Sequence, residues 1–415
     1  MHILLIHQAF AALDEAGGTR HAEFANFLAD HGHELTIISS PVSYLTGHSS
    51  QSKPKWIEKQ AIRPGVTLIR TYTYPALHRS FFHRVLTFLS FMVSSFWAGL
   101  SLGKIDLVWG TSPPIFQGIT AWLLARLKRI PWLFEVRDLW PEFAIEVGVL
   151  RNPILIKASL WLEKFLYTHA DRVVINSPGF LTHVVERGAR RVELIPNGAD
   201  PGMFDPANKG LTFRLENGLT DQFIALYAGA HGLSNDLNVV IDCANLLERK
   251  PEIKIVLVGD GKEKMNLIDR AESLNLKNIL FVQPVPKTEM AQTLAAANAC
   301  IAILKPLELY KTTYPNKVFD YMAAGRPVLL LIDGVIRQVV EEAQAGIFVR
   351  PGSAIDLCAA IETLASDPEK ACTLGQNGRK YIEEHFNRAQ IAQKFMLLLE
   401  QMQREYGRED SDSRR

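Results

Sequence analysis

Cysteine is scarce in this chain, with four in 415 residues, at positions 243, 300, 358 and 372. No two form a CxxC pair, so neither a zinc module nor a disulfide framework is supported, and reduced, buried thiols are expected. Charge of one sign is also lacking. Lys and Arg number 45 against 44 Asp and Glu, a formal net charge of +1, which gives no global field for nucleic acid. There is no GxGxxG fingerprint and no Walker pattern. No metal-ligand cluster and no nucleophile triad stand at recognisable spacing. The opening "MHILLIHQAF" has no basic segment and only a short apolar run, so it reads as a buried first strand rather than a signal peptide.

The composition is that of a globular protein, 47% hydrophobic and 21% charged. At 415 residues the chain is too long for one ordinary core, and two domains are expected. Short apolar runs alternate with helical patterns. In the first half they are "ILLIH" (3–7), "ELTIIS" (34–39), "VTLIRTY" (66–72), "DLVWGT" (106–111), "WLFEVRD" (132–138), "RVVIN" (172–176) and "VELIPN" (192–197). The pattern restarts with "FIALYAG" (223–229), "KIVLVGDG" (254–261), "ILFVQPV" (279–285), "ACIAIL" (299–304), "PVLLLID" (327–333) and "AGIFVRPG" (345–352). Such runs, spaced by helices, predict parallel sheets covered on both faces. The break falls in the Gly-, Pro- and Asn-rich stretch 197–212. An amphipathic helix is predicted near 387–406, and the charged end 407–415 reads as a disordered tail.

One run complicates this picture. "VLTFLSFMVSSFWAGLSLG" (85–103) carries no charge over 19 residues, close to the length of a membrane span. Its serines and threonine favour a buried helix, with a span and a helix lying on a bilayer as alternatives. Its flank places His78, Arg79, His83 and Arg84 beside Phe81 and Phe82, a basic and aromatic mixture that suits an interface.

In open α/β sheets ligands bind beyond the carboxyl ends of strands, where helix N-termini present N–H groups. Gly17, Gly18, Thr19 and Arg20 follow the first strand and open a helix, an arrangement that suits an anion or a simple N-cap loop. Arg137, Asp138 and Glu142 follow "WLFEV", with Trp140 between them, fit either for a surface turn or for a sugar face. In the second half Gly229, His231 and the turn "VGDGKEK" follow strands, and Lys305 follows "ACIAIL". Pro315 then starts a helix whose Asn316, Lys317 and Val318 N–H groups could hold a phosphate, Lys317 adding full charge. Asp320, one turn in, could accept both hydroxyls of a ribose. These strand ends together predict a two-domain enzyme for a phosphate-containing ligand.

Several extended motifs, "GGTRHAEFANFLADHGHEL", "TSPPIFQGITAWLLARLKRIPWLFEVRDLWPE", "VVINSPGF", "IPNGAD", "YAGAHG" and "YPNKVFDYMAAGRPV", stand in the order found in the family-4 glycosyltransferases, which the chain resembles over residues 1 to about 400. It looks most like the bacterial sugar transferases of O-antigen, capsule and exopolysaccharide assembly, such as the N-acetyl-fucosamine transferases. The resemblance implies a GT-B fold, two facing Rossmann-like doubly wound domains with a cleft between them. It implies an acceptor domain at 1–198, a nucleotide-sugar domain at 199–385, and a helix at 386–406 packing back on the first. By position, Asp320 would hold the ribose. The N–H groups at 316–318 with Lys317 would hold the pyrophosphate, Gly18 would add N–H across the cleft, and the base would lie near Gly259 and the backbone from Val282 to Val285. Retention of configuration, no metal requirement, a UDP- or GDP-sugar donor, a lipid-linked glycan acceptor and a cytoplasmic site at the inner membrane face, docked through 76–103, are further expectations. Asp138 and Glu142 would orient the acceptor.

Two departures stand out. Where many members have two glutamates separated by seven residues, this chain has Thr312 and Asp320. Where many have an arginine and a lysine after the "YAG" strand, it has Ala230 and Asn235. Arg20, Arg137, Lys305 and Lys317 are the candidates to replace that charge, which a departing diphosphate needs. An epimerase of the same fold and a non-catalytic nucleotide-sugar binder are the other readings.

Overall fold

The computed structural model describes residues 1–15, 17–43, 47, 49, 51, 53, 55–76 and 79–413; His78 of the expected docking segment and residues 414–415 of the expected tail lie outside them. The chain forms two compact units. The first comprises Met1–Ala11, Gly18–Pro196 and the chain from Ala389 onward; the second comprises Ala12–Gly17 and Asn197–Arg388.

The first unit holds strands β1 (His2–Ile6), β2 (Glu34–Ser39), β3 (Ile57–Arg63), β4 (Val66–Thr71), β5 (Leu107–Ser112), β6 (Trp132–Val136), β7 (Arg172–Ile175) and β8 (Val192–Leu194), in the sheet order 3-4-2-1-5-6-7-8. All neighbours are parallel except β3 with β4. The central strands β5 and β6 are buried at every residue, which explains their unbroken apolar runs. Strand β3, "IEKQAIR", is the element with no sequence expectation. It is an antiparallel edge strand, largely exposed and polar, so its residues carry little apolar signal.

Helices of this unit include α1 (Arg20–Asp30), α2 (Phe81–Ser101), α3 (Gln117–Lys128), α4 (Glu142–Glu146) and α5 (Pro153–His169). The β1–α1–β2 connection steps one way along the sheet, whereas those through α2, α3 and α5 step the other way. Right-handed crossovers therefore put α1 on one face and α2, α3 and α5 on the opposite one.

The second unit is a sheet of six parallel strands: β9 (Phe223–Ala228), β10 (Ile253–Val258), β11 (Ile279–Val282), β12 (Ala299–Ile303), β13 (Val328–Leu331) and β14 (Gly346–Phe348), in the order 11-10-9-12-13-14. Every one coincides with an expected run, because each is apolar, β-branched and bounded by turn residues.

The last helix runs Arg388–Ser413. Its buried Phe395 stacks on Phe24 at 5.2 Å and lies 4.6 Å from Trp109, so it belongs to the first unit's core. It also continues past 406, where the charged composition reads as a disordered tail. Adding residues to an existing helix is far easier than nucleating one, and Arg and Glu are good helix formers.

Candidate functional site

In the second unit, the helix Asn316–Ala323 starts after Pro315. Val318 N–H already donates to Pro315 O at 3.1 Å, so that donor is engaged within the turn. Tyr321 Oη bonds both Ala228 N (2.9 Å) and Ala228 O (3.1 Å), which fixes this helix to the end of β9.

Lys317 reaches the same place. Its Nζ donates to Tyr227 Oη at 2.8 Å and lies 4.0 Å from the centre of that ring. Tyr227 Oη in turn donates to Ala230 O at 2.7 Å. Gly229, at φ +152°, makes the approach possible: a Cβ there would lie 2.7 Å from Lys317 Nζ. Desolvation pulls the Lys317 ammonium down to about 7. Lys305 comes to the same exit loop, its backbone N–H donating to Ser234 O at 2.9 Å. Its charge opposes the burial that raises the pKa of Asp236. The Lys317 side chain and the Lys305 backbone thus both meet the segment after β9 that carries Ala230 and Asn235.

Asp320 is not a solitary carboxylate. Lys287, which opens the helix Lys287–Ala295, donates to its Oδ1 at 2.6 Å, and the two side chains are 10% and 17% exposed. Nothing in the sequence spacing pointed to Lys287. The Thr312 hydroxyl turns to its own backbone, donating to Leu309 O at 2.6 Å.

The expected base-binding residues are more occupied than the sequence implied. Gly259 N–H donates to Val282 O at 3.1 Å, and Gly259 O accepts from Lys264 Nζ at 2.8 Å. Val285 packs against the core. His231, among the expected ligand-binding residues, is fully buried. Its N–H donates to Asp260 O at 2.8 Å and its carbonyl accepts from Glu263 N at 2.9 Å, joining the β9 and β10 exits. Burial, then the nearby Lys264 charge, lowers its imidazole to about 4.

The first unit carries a separate polar cluster at its strand ends. Glu135, fully buried in β6, accepts from Arg20 Nε (3.0 Å), His21 Nε2 (2.7 Å) and Trp109 Nε1 (3.1 Å). Desolvation pushes its carboxyl up, but His21 and Arg20 outweigh this and hold it well below the usual range. Burial keeps His21 low, at about 4, so Arg20 supplies the countercharge and neutral His21 a donor. Arg20 also donates to Pro196 O (2.6 Å) and Ile195 O (2.7 Å). Its guanidinium thus clamps β6 to the chain after β8. Arg137 is held likewise, donating to Thr111 Oγ1 and Ser112 O, each at 3.0 Å, and to Pro113 O at 3.1 Å. Thr19 donates to Glu23 Oε1 at 2.6 Å. Gly17 and Gly18 are exposed, and a Cβ on Gly18 would meet nothing within 4 Å.

Asp138 and Glu142 separate in character. Solvent reaches Asp138, but surrounding protein crowds it, and this desolvation raises its carboxyl to about 6 against the pull of Arg137. Between them, Trp140 packs edge-on to Phe116 at 5.8 Å. Glu142 is tied down, accepting from Arg187 Nη2 at 2.8 Å and lying 3.2 Å from His183 Nδ1. His183 Nε2 donates to the buried Glu163 Oε1 at 2.7 Å. Desolvation works against the charge on His183, but its bonds to Glu142 and Glu163 prevail and raise it to about 9. A raised histidine stabilises the fold fully below its ordinary value and loses that contribution as pH rises through the folded value. Thermal stability is therefore expected to fall between pH 7 and 9 by an amount on the order of 2 kcal/mol more in wild type than in His183→Gln. Melting curves across that range check it; parallel pH profiles would remove the ion network from the account.

Each unit is a mostly parallel, helix-covered sheet of the Rossmann kind, and solved structures of the GT-B class share this fold. The chain belongs to the glycosyltransferases: residues 16–198 match the glycosyl transferase 4-like domain and residues 212–381 the glycosyl transferases group 1. Among solved structures it is similar to a sucrose-phosphate synthase from Thermosynechococcus elongatus, with TM-score 0.78, 21% identity, and 97% and 98% of the two chains covered. It is also similar to Anabaena Alr3699/HepE, seen with UDP and glucose, with TM-score 0.73, 16% identity, and 96% and 99% covered. In sequence it is 24% identical over 313 residues to WcaI of Escherichia coli (strain K12), named for colanic acid biosynthesis glycosyl transfer, covering 73% of this chain and 76% of that one. With the sulfoquinovosyl transferase SQD2 of Arabidopsis thaliana it shares 24% identity over 69% of this chain and 55% of that protein.

Proposed function

We propose that the protein moves a hexosyl or N-acetylhexosaminyl group from a UDP- or GDP-sugar to a lipid-linked glycan at the cytoplasmic face of the membrane, with retention of configuration, in surface polysaccharide synthesis. The observation that carries the donor reading is Lys317 seated on Tyr227 beside Gly229, with Lys305 at the same loop. These lysines would take the role that the missing basic pair plays in relatives, neutralising the departing diphosphate without a required metal. The names of the similar transferase WcaI and the UDP complex of HepE support the substrate classes. Asp320 holds the ribose, and Asp138 faces the acceptor. The bond between the sugar C1 and the β-phosphate oxygen breaks, the acceptor oxygen bonds to C1 on the same face, and its proton passes to the departing phosphate oxygen. Segment 76–103 contributes the membrane contact.

Thermal unfolding against a panel of UDP, GDP and their sugars tests this, since a ligand that binds only the folded state raises the melting point. One nucleotide class should stabilise the protein and be released when a lipid-linked acceptor is added. Stabilisation by none of them sinks the donor reading.

A further inference from the structure

The outer face of the first unit made by α2, α3 and α5 combines exposed apolar groups with a lack of exposed acid. Together these helices contain one acidic residue, Glu163, and it is fully buried. No acidic side chain on them faces water. Large apolar side chains do: Phe82 (66% exposed), Val93 (48%), Trp97 (55%), Leu127 (59%), Ile154 (75%) and Trp161 (65%). On α2, Leu89, Val93, Trp97 and Leu100 recur at three- and four-residue spacing and are all exposed, so they form one outward stripe. Exposed Arg126, Lys157 and Lys164 lie among these apolar groups, and Lys104 follows α2. An apolar patch of this extent is unusual on a surface that meets only water.

The three helices are held side by side, so the patch is continuous. Between α2 and α3, Thr120 Oγ1 donates to Met92 O at 3.2 Å and Lys128 Nζ donates to Leu102 O at 2.8 Å. Gly99 lets the pair close up, since a Cβ there would fall 2.4 Å from Leu124. Between α3 and α5, the Trp122 and Phe165 rings meet edge-on at 4.9 Å, and Arg126 donates to His169 O at 3.3 Å. The inner side of α2 is satisfied within the unit: Phe91, Ser94 and Ser95 are buried, and Ser94 Oγ donates to Tyr72 O at 2.6 Å. By length and composition Phe82–Ser101 could cross a membrane, but its inner side is part of the domain core and only its outer side lacks a protein partner among the described residues.

We infer that the α2–α3–α5 face is a docking surface for the anionic leaflet of a lipid bilayer, with Trp97 and Trp161 entering the interface and Arg126, Lys157 and Lys164 meeting lipid headgroups. Three observations favour a bilayer over a protein partner: no exposed carboxylate, two exposed tryptophans, and basic residues interleaved with apolar ones. Tryptophan settles at the headgroup level, and lysine and arginine lay their stems on the apolar zone while their charges reach the phosphates. The inference deepens the lipid-linked acceptor reading by extending the contact from 76–103 to two further helices and by assigning the sign of the lipid charge.

The test is flotation of the full chain with phosphatidylcholine vesicles, with and without phosphatidylglycerol, and with vesicles whose acyl chains carry bromine. Wild type should float with the anionic vesicles, and the brominated lipids should quench its fluorescence. The pair Lys157→Glu and Lys164→Glu should weaken binding about 10- to 100-fold. The pair Trp97→Glu and Trp161→Glu should abolish both flotation and quenching. All four substitutions are at exposed positions, so melting temperature and nucleotide binding should stay as in wild type. No flotation of wild type, or equal flotation of the variants, overturns the inference. So does a solution dimer that Trp161→Glu splits, because the face would then cover a second copy. Vesicle binding without any nucleotide binding would instead overturn the donor reading and leave this one standing.

Discussion

Lys317→Met should lose about 10- to 100-fold in affinity for the nucleotide diphosphate, and about 100- to 1000-fold in turnover. Methionine keeps the stem that passes Gly229 and the contact with the Tyr227 ring, so the fold should hold. The larger effect on turnover follows from where the charge is needed, because the diphosphate gains negative charge as the sugar leaves. A second readout comes from the depressed ammonium. With its pKa pulled to about 7 by desolvation, Lys317 is largely neutral at pH 8 before ligand arrives, and a bound diphosphate favours the charged form. Nucleotide binding at pH 8 should then take up close to one proton, and uptake should fade below pH 7. Calorimetry in buffers of different ionisation enthalpy measures this directly. Unchanged turnover in Lys317→Met, with the same proton uptake as wild type, would remove Lys317 from the site.

The second large effect is expected at Asp320. Asp320→Ala removes the proposed ribose ligand and leaves the largely buried Lys287 without this partner. The unpaired ammonium should destabilise the second unit by about 1–3 kcal/mol. Loss of the carboxylate should also weaken nucleotide binding about tenfold or more. The two consequences separate with the double variant Lys287→Met, Asp320→Ala, which should recover stability without recovering affinity. Wild type should prefer the nucleotide over its 2′-deoxy form, and Asp320→Ala should not. A variant that still discriminates the two sugars shows that the ribose is held elsewhere.

Much of the architecture was readable because parallel strands buried on both faces must be apolar along their whole length. β9, β10, β12 and β13 are largely of that kind, the half-buried edges β11 and β14 are apolar as well, and β3, polar and at an edge, is the one that escaped. The site was less readable because burial and pairing decide what a charged residue can do. Arg20 and Lys317 look equally available in the sequence; one is locked on Glu135 and two carbonyls, the other rests on a tyrosine ring at the end of β9. Glu142 likewise looks like a partner for Asp138 until His183 and Arg187 claim it. A signal for this did exist. Glu135 lies inside "WLFEV" and Glu163 inside "SLWLEKF", and a carboxylate within an apolar run must find buried donors. Those two residues mark the internal networks, and they identify which nearby cations are already engaged. Lys287 offers no comparable mark, since its meeting with Asp320 depends on how two helices of the second unit converge.

The path of the chain has a consequence for synthesis. Phe395, Leu399 and Met402, in the last helix, are buried in the first unit. A ribosome releases these residues after the whole second unit has emerged. The second unit can therefore finish its core during translation, while the first unit waits with Phe24 and Trp109 uncovered. A nascent chain or a fragment stopped before 389 presents that apolar surface to whatever is nearby, so the first domain closes only once the stretch beyond the second unit is made.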